Sequence, residues 1–392
     1  MQVGIESISM YTSGYYLDLK TLAKHLDEDV NKFYIGIGQE QMSVPPPDED
    51  VVTLAANATA QALEGVDASK VDTLMFATES GIDQSKAAGV YVHRLLNLPK
   101  NIRAFELKQA CYSGAGGLSM ALPYLLHHPD RKVIIVASDV ARYGLDTTGE
   151  PTQGAGAVAM VLSTSPKVMT FDLDSGLYTD DVMDFWRPNY RDEALVDGKY
   201  SIKMYVRALK EAWDQYVNIT NHTFEDFYRF AYHLPFTKMG EKAHQFLVRA
   251  AANREFSEDE WRAQIDDSGV YQRYIGNTYA ASVFLALQSL LDVSKEKLDN
   301  KRVGLFSYGS GSVGEFFTGV VQPGYEEHLH TNRHKEVLKN REELDYETYK
   351  KFYSYKSNLP TDGSNVITPK YNTGRFRFAG LSEHKRQYEV VE

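Results

Sequence analysis

The segment "ELKQACYSGAGGLSMAL" (106–122) holds the only cysteine of the chain, Cys111, at the mouth of a glycine-rich run that reads as the start of a helix. A lone cysteine packs readily as a small apolar side chain, so its neighbours decide whether this one is chemical. At a helix N-terminus the dipole and the free amides favour a thiolate, and such sites lower a cysteine pKa from about 8.5 to roughly 3.5–7.5. Gly114, Gly116 and Gly117 let backbone approach a ligand closely. The chemistry expected is nucleophilic: a thiolate forms a covalent intermediate and splits one hard step in two.

Other polar groups stand at the ends of apolar runs. Glu79 closes "VDTLMFATES" (71–80), either as a surface charge or as a base whose pKa an apolar pocket raises. His233 lies in "FYRFAYHLPF" (227–236), where Pro235 forces a turn just after it. It is either a satisfied, half-buried histidine or a group that holds or protonates a carbonyl. Asn277, in "GNTYAASVFLALQSLL" (276–291), is either an N-cap or a partner of His233 on that carbonyl. Lys238 and Lys242 follow at helical spacing, and Lys199 and Lys203 flank Ser201 in the same way. These are the candidate cations for a phosphorylated ligand, with solvated helix faces as the alternative.

At 392 residues, 43% hydrophobic and 24% charged, the chain has the profile of a soluble globular protein of two domains or of one fold built from two halves. Its net charge of −11 argues against nucleic acid, whose binding rests on neutralising many phosphates. A single cysteine forms no internal disulfide, and no apolar run reaches the roughly eighteen residues of a membrane span. The first residues, "MQVGIESISMYTSGYYLDL", lack a basic stretch before an apolar core, so a cytoplasmic protein is expected. No Walker loop, dinucleotide fingerprint or zinc spacing occurs; no metal and no resident cofactor are expected.

The elements that must position these groups recur in two sets. Strand-like "VDTLMFATES" (71–80), "KVIIVASD" (132–139) and "GAVAMVL" (156–162) accompany a helix over 113–126 that is apolar on nearly every face and therefore buried. Strands over 227–236, 302–312 and 313–321 accompany a second such helix over 276–291. Alternation of this kind predicts α/β layers with mixed sheets and an internal duplication. The duplication would bring Glu79, Cys111 and Ser138 from one half to His233, Asn277 and Ser307 from the other. Residues 1–165 and 166–340 are the expected halves, with a loop-rich, aromatic insertion near 174–201. Residues 341–392 are expected as a helix and tail packed on the second half, and "HKEVLKNREELDYETYKKFYSY" as one solvated outer helix.

"ELKQACYSGAGG", "FATES", "AYHLPFTKMGEK", "YIGNTYAAS" and "FSYGSGSVGEFF", in this order and spacing, resemble 3-hydroxy-3-methylglutaryl-CoA synthases of the bacterial mevalonate-pathway type. The resemblance covers nearly the whole chain, including "DFWRP" and "PTQGAGAVA". It implies a thiolase-like fold of layered α-β-α-β-α architecture and a homodimer. It implies an acyltransferase that condenses acetyl-CoA with acetoacetyl-CoA and water, giving 3-hydroxy-3-methylglutaryl-CoA and coenzyme A. By the same matching Cys111 takes the acetyl group, Glu79 removes a methyl proton, and His233 with Asn277 holds the acetoacetyl carbonyl. Backbone amides at Cys111 and near Ser307 would form an oxyanion hole. Tyr143, Thr152, Ser201, Lys238, Lys242 and Ser307 would line the acyl-CoA site. Asp146, in "YGLDTTGEPT", receives no role.

Other readings, within this fold and outside it, fit less well. A biosynthetic thiolase needs a second cysteine, which this chain lacks. An initiating ketoacyl synthase uses Cys, His and Asn, but decarboxylates malonyl groups and needs no carboxylate base; Glu79 speaks against it, as it does against a chalcone-type polyketide synthase. A non-catalytic acyl-CoA binder would not need the nucleophile, base and carbonyl-binding positions filled. A cysteine hydrolase would leave Glu79, Asn277 and the lysines unexplained.

Overall fold

The structure, a computed structural model, describes residues 1–391. Its main sheet is built from β1 (Gly4–Thr12), β2 (Val71–Ala77), β3 (Arg103–Leu107), β4 (Lys132–Ala141), β5 (Gly154–Ser163), β6 (Met169–Phe171), β7 (Gly176–Thr179), β8 (Arg229–Tyr232), β9 (Arg302–Gly309) and β10 (Val313–Val321). The spatial order is β8-β9-β10-β6-β1-β5-β4-β2-β3, with β7 also paired to β10. Strand β4 runs parallel to β2 and antiparallel to β5. Strand β9 runs parallel to β8 and antiparallel to β10. The two halves thus repeat one topology, and the short β6, paired with both β1 and β10, joins them.

The helices that matter here are α1 (Val51–Ala62), α2 (Ala88–Leu95), α3 (Ser113–His127), α4 (Gly198–Thr220), α5 (Thr237–Ala251), α6 (Asp266–Ile275), α7 (Ser282–Val293), α8 (Thr331–Lys339) and α9 (Tyr346–Tyr355). Every residue of α7 from Ser282 to Asp292 is buried, as a helix apolar on most faces requires. Helices α3 and α7 lie between the two halves of the sheet, α1 and α2 cover the outer face of the first half, and α4 covers that of the second. This is the layered α-β-α-β-α arrangement of the thiolase fold. Fully buried Phe284, Leu287 and Leu290 of α7 each contribute roughly 1.5–3 kcal/mol to holding the halves together. Gly114 permits the close approach: a Cβ there would stand 2.9 Å from both the Ala280 carbonyl oxygen and the Phe284 ring.

The helix expected from residue 276 begins at Ser282. Asn277 turns its side chain back to accept from the Tyr279 amide at 2.9 Å, and Tyr279 has a left-handed φ of 43°, so residues before 282 form a turn. Strand alternation corrects a second expectation. In β4, Val133, Ile135 and Ala137 face the inner core while Ile134 and Val136 face α1 and α2. Ser138 therefore points outward and donates to the Val51 carbonyl at 2.8 Å; its neighbour Asp139 points inward instead.

The tail departs furthest from the sequence reading. The charge-dense run is two helices, α8 and α9, separated by a short strand at Glu342–Glu343. It packs with residues 341–390 largely on the first half. In the C-terminal hairpin β11 (Phe376–Ser382) and β12 (Lys385–Val390), Arg377 pairs with Asp48 at 3.3 Å and Arg386 with Asp50 at 2.5 Å. The physical reason lies in "PPPDED" (45–50): Asp48, Glu49 and Asp50 are all fully buried, and buried carboxylates need cations that only the tail supplies. No helix among the described residues is long and apolar enough to cross a membrane.

Candidate active site

Cys111 sits just ahead of α3, after Ala110, whose φ of 43° turns the chain sharply from β3 towards the helix. Its thiol donates to Glu79 Oε1 at 3.1 Å. Glu79 follows β2, the strand between β3 and β4, so the sheet itself brings the two groups together. The Glu79 turn is fastened by Asp139 at the end of β4. Asp139 Oδ1 accepts from the Thr78 hydroxyl at 2.7 Å and from the Glu79 and Ser80 amides at 2.9 Å each. Its Oδ2 accepts from the Ala280 amide of the other half at 2.9 Å. Arg187 donates to the Glu79 carbonyl oxygen.

Electrostatics at the pair differ from the sequence expectation. The Cys111 thiol is raised well above its ordinary range, first by burial and then by the Glu79 charge against it. The helix N-terminus does not prevail, because a thiolate there would be buried and would face the carboxylates of Glu79, Asp139 and Asp184. Burial and then the Asp139 charge push the Glu79 carboxyl well above the usual carboxylate range. The resting pair is therefore a thiol hydrogen-bonded to a carboxyl group of raised proton affinity.

Around the thiol, Tyr143, Phe185 and Tyr279 form an apolar wall with Ala141. Their rings meet edge to face at centroid separations of 5.8–6.5 Å. His233 continues β8: its amide donates to the Phe306 carbonyl at 2.8 Å, and its carbonyl accepts from the Tyr205 hydroxyl at 2.8 Å. Tyr205, on α4, stacks near the His233 ring and is close enough to Cys111 for the thiolate charge to raise its phenol further. Burial pushes the His233 imidazole down to about 3, so the ring is neutral, and its Nδ1 has no protein partner. A neutral imidazole with an unpartnered buried nitrogen is equipped to hydrogen-bond a ligand.

The second half closes on the thiol from β9. Phe306 and Tyr308 pack on Tyr205 of α4, so alternation turns Ser307 inward, where its buried hydroxyl lacks a partner. Two residues on, Gly309 lies so near the Cys111 turn that a Cβ would stand 2.5 Å from the Gln109 carbonyl oxygen and 2.8 Å from the Tyr112 amide nitrogen. Asn277 donates its amide to the Thr152 carbonyl at 3.2 Å, which joins that loop to the one carrying Tyr143. Ser201, near the start of α4, donates to Asp184 at 3.0 Å; Tyr308 and the Gly311 amide hold the same carboxylate.

The lysines are not part of the thiol cluster. Lys238 of α5 is engaged by Glu241 at 2.8 Å, and Lys242 is exposed beside the Phe236 ring. Asp146 is a surface residue that meets His25 at 3.0 Å. Sequence reasoning missed Asp139, Asp184, Arg187 and Tyr205. For Asp139 a signal was present: it is a carboxylate closing an apolar strand, the same pattern that singled out Glu79. No group of three or more His, Cys, Asp or Glu among the described residues is arranged to hold a metal ion.

Residues 1–167 match the family model described as hydroxymethylglutaryl-coenzyme A synthase N terminal, and residues 169–252 and 249–361 match its C-terminal counterpart. The chain is 41% identical over 388 residues to the hydroxymethylglutaryl-CoA synthase of Enterococcus faecalis, covering 99% of this chain and 100% of that one. It is 33% identical over 369 residues to a polyketide-biosynthesis 3-hydroxy-3-methylglutaryl-ACP synthase of Bacillus subtilis, covering 89% of this chain and 87% of that one. Among solved structures, an HMG-CoA synthase complexed with CoA superposes with a TM-score of 0.94 at 39% identity, covering 100% of both chains. MvaS in complex with 3-hydroxy-3-methylglutaryl coenzyme A superposes with a TM-score of 0.91 at 36% identity, covering 100% of this chain and 99% of that one.

Proposed function

The chain belongs to the hydroxymethylglutaryl-CoA synthase family, and from that membership together with the Cys111–Glu79 contact we propose how it works. The protein is an acyl-transferring condensing enzyme. It joins acetyl-CoA to acetoacetyl-CoA and, with water, yields 3-hydroxy-3-methylglutaryl-CoA and coenzyme A, a step suited to the mevalonate route. Each half, 1–165 and 166–340 in our reading, supplies one side of the chemistry.

The observation that carries the mechanism is the 3.1 Å hydrogen bond from the Cys111 thiol to Glu79. In the first step Cys111 sulfur attacks the acetyl carbonyl and its proton passes to Glu79, whose raised proton affinity suits it to the task. Fixed backbone donors at Cys111 and near Ser307 stabilise the tetrahedral oxyanion. The C–S bond to coenzyme A breaks, and the departing thiolate takes up the proton. In the second step Glu79, again a carboxylate, removes a proton from the methyl group of acetyl-Cys111. The carbanion attacks the ketone of acetoacetyl-CoA, whose oxygen is held by neutral His233 with Asn277 close by, and the alkoxide that forms takes up the proton that Glu79 removed. Water then cleaves the thioester to Cys111. Tyr143, Thr152, Ser201 and Ser307 line the acyl and pantetheine path, and Lys238 and Lys242 meet the anionic end of coenzyme A. No cofactor takes part.

We also read the enzyme as cytoplasmic and as a homodimer, for which β3, the end strand on the Cys111 side of the sheet, offers a second copy an edge to pair with. The direct test of the function is intact-mass measurement. Acetyl-CoA alone should add a single acetyl group, and a chase with acetoacetyl-CoA should discharge it as 3-hydroxy-3-methylglutaryl-CoA. An adduct that acetoacetyl-CoA does not discharge would sink the reading.

The role of His233 makes its own prediction. His233→Ala should leave acetylation of Cys111 within a few-fold of wild type while weakening the second substrate. A lost neutral hydrogen bond costs about 0.5–1.5 kcal/mol, or roughly 2- to 12-fold in acetoacetyl-CoA affinity. Loss of acetylation with unchanged acetoacetyl-CoA affinity would instead assign His233 to activating the thiol.

A further inference from the structure

The tail helix α9 reaches the wall of the acyl site from behind. Pairing of β4 with β5 ends at Ala141 opposite Gly154, so residues 142–153 leave the sheet and Tyr143 has no strand partner. Side chains hold its backbone instead. The Tyr143 amide donates to Gln153 Oε1 at 2.8 Å, and its carbonyl accepts from the Tyr353 hydroxyl at 2.5 Å. Gln153 Nε2 in turn donates to the Tyr349 oxygen at 2.8 Å, and the Tyr349 hydroxyl donates to buried Glu150 at 2.8 Å. Tyr349 and Tyr353 are four residues apart and so share one face of α9. Arg142 completes the clasp by donating to the Tyr353 carbonyl, with its guanidinium 4.2 Å above that ring.

We propose that Tyr349 and Tyr353 are positioning residues for Tyr143, and that α9 thereby sets the wall of the acyl site beside Cys111. The inference rests on the reading of Cys111 as the acyl carrier. Both backbone polar groups of Tyr143 depend on α9, one directly and one through Gln153, while its ring lies against Cys111, Phe185 and Tyr279. A small cleft of about 40 Å³ lies beside α9, lined among others by Pro46, Ala141, Gln153, Phe352 and Tyr353. Strand pairing does not hold Tyr143, and the hydroxyl groups of α9 do.

The test is the Tyr349→Phe/Tyr353→Phe double variant, which keeps both rings and the Arg142 stack. Loss of two hydrogen bonds aimed at the reactive wall should lower kcat/KM for condensation about 5- to 100-fold, and the rate of Cys111 acetylation should fall with it. Tyr388→Phe is the matched control. It loses a buried hydroxyl bond to Asp50 (2.7 Å) in the same tail, so its melting temperature should fall while its kinetics stay within about twofold of wild type. A double variant with lowered melting but wild-type kcat and KM overturns the proposal. So does a Tyr388→Phe variant that loses as much kcat/KM. If the double variant does not fold, Tyr353→Phe alone should show about a 2- to 10-fold loss, and wild-type kinetics there overturn the proposal equally. A wild-type enzyme that takes up no acetyl group would fail earlier, overturning the Cys111 reading and this inference with it.

Discussion

Cys111→Ser is expected to take up no acetyl group from acetyl-CoA and to lose condensation by roughly 10⁴-fold or more, the scale on which other enzymes lose a covalent nucleophile. Serine keeps the shape and the hydrogen bond to Glu79, so the fold and the pocket should persist. Its hydroxyl is far less acidic than a thiol, and the site already raises the proton affinity of whatever stands at residue 111. That position is buried and faces the carboxylates of Glu79, Asp139 and Asp184. A thiol is acidic enough to surrender its proton to Glu79 during attack; an alcohol is not. The measurement is intact mass after acetyl-CoA treatment, with product followed separately. A stoichiometric adduct on the serine variant would place the acyl group elsewhere, and no other cysteine exists to receive it.

What the sequence made legible follows from period and position. The repeat of strand, buried helix, strand and strand survives as β2–α3–β4–β5 and β8–α7–β9–β10, because apolar runs of those lengths permit little else. The meeting of Cys111 and Glu79 was also within reach, through the duplication that gathers both at one centre; β3, the strand that leads to Cys111 beside β2, was not. Less visible was anything decided by a one-residue change of face. Ser138 and Asp139 are neighbours, yet only Asp139 faces the inner layer, and a strand's register is invisible until its partners are known. The thiolate expectation failed for a related reason: a helix N-terminus is a local feature, whereas the burial that opposes a thiolate, and after it the charges of Glu79, Asp139 and Asp184, come from distant segments. The tail failed because its buried partners, Asp48 to Asp50 and Tyr143 to Gln153, lie some two to three hundred residues away. Polar composition made α9 look solvated, although its tyrosine hydroxyls are spent on the protein.

Glu79→Gln separates the two chemical steps. Acetyl transfer to Cys111 needs attack by sulfur and an oxyanion hole; the glutamine oxygen still accepts from the thiol, and the departing coenzyme A thiolate is itself a base for the proton. The variant should therefore form acetyl-Cys111, more slowly than wild type but detectably by mass. Carbon–carbon bond formation has no such substitute, because a proton must leave a thioester methyl group and no leaving group is there to take it. A positioned base typically contributes about 10²–10⁴-fold, so overall condensation should fall by at least a hundredfold while the acetyl adduct accumulates. The pH profile gives an independent sign. Burial and the Asp139 charge raise the Glu79 carboxyl, so its basic form is lost as pH falls through a range well above that of an ordinary carboxylate. In the wild type, condensation should rise with pH across that range. In the glutamine variant the residual rate should lack this limb, since the titrating group is gone. A variant that condenses within a factor of a few of wild type, or that keeps the same limb, would remove Glu79 as the base. The proton would then have to go elsewhere, and His233 is a poor acceptor while burial holds its pKa down at about 3.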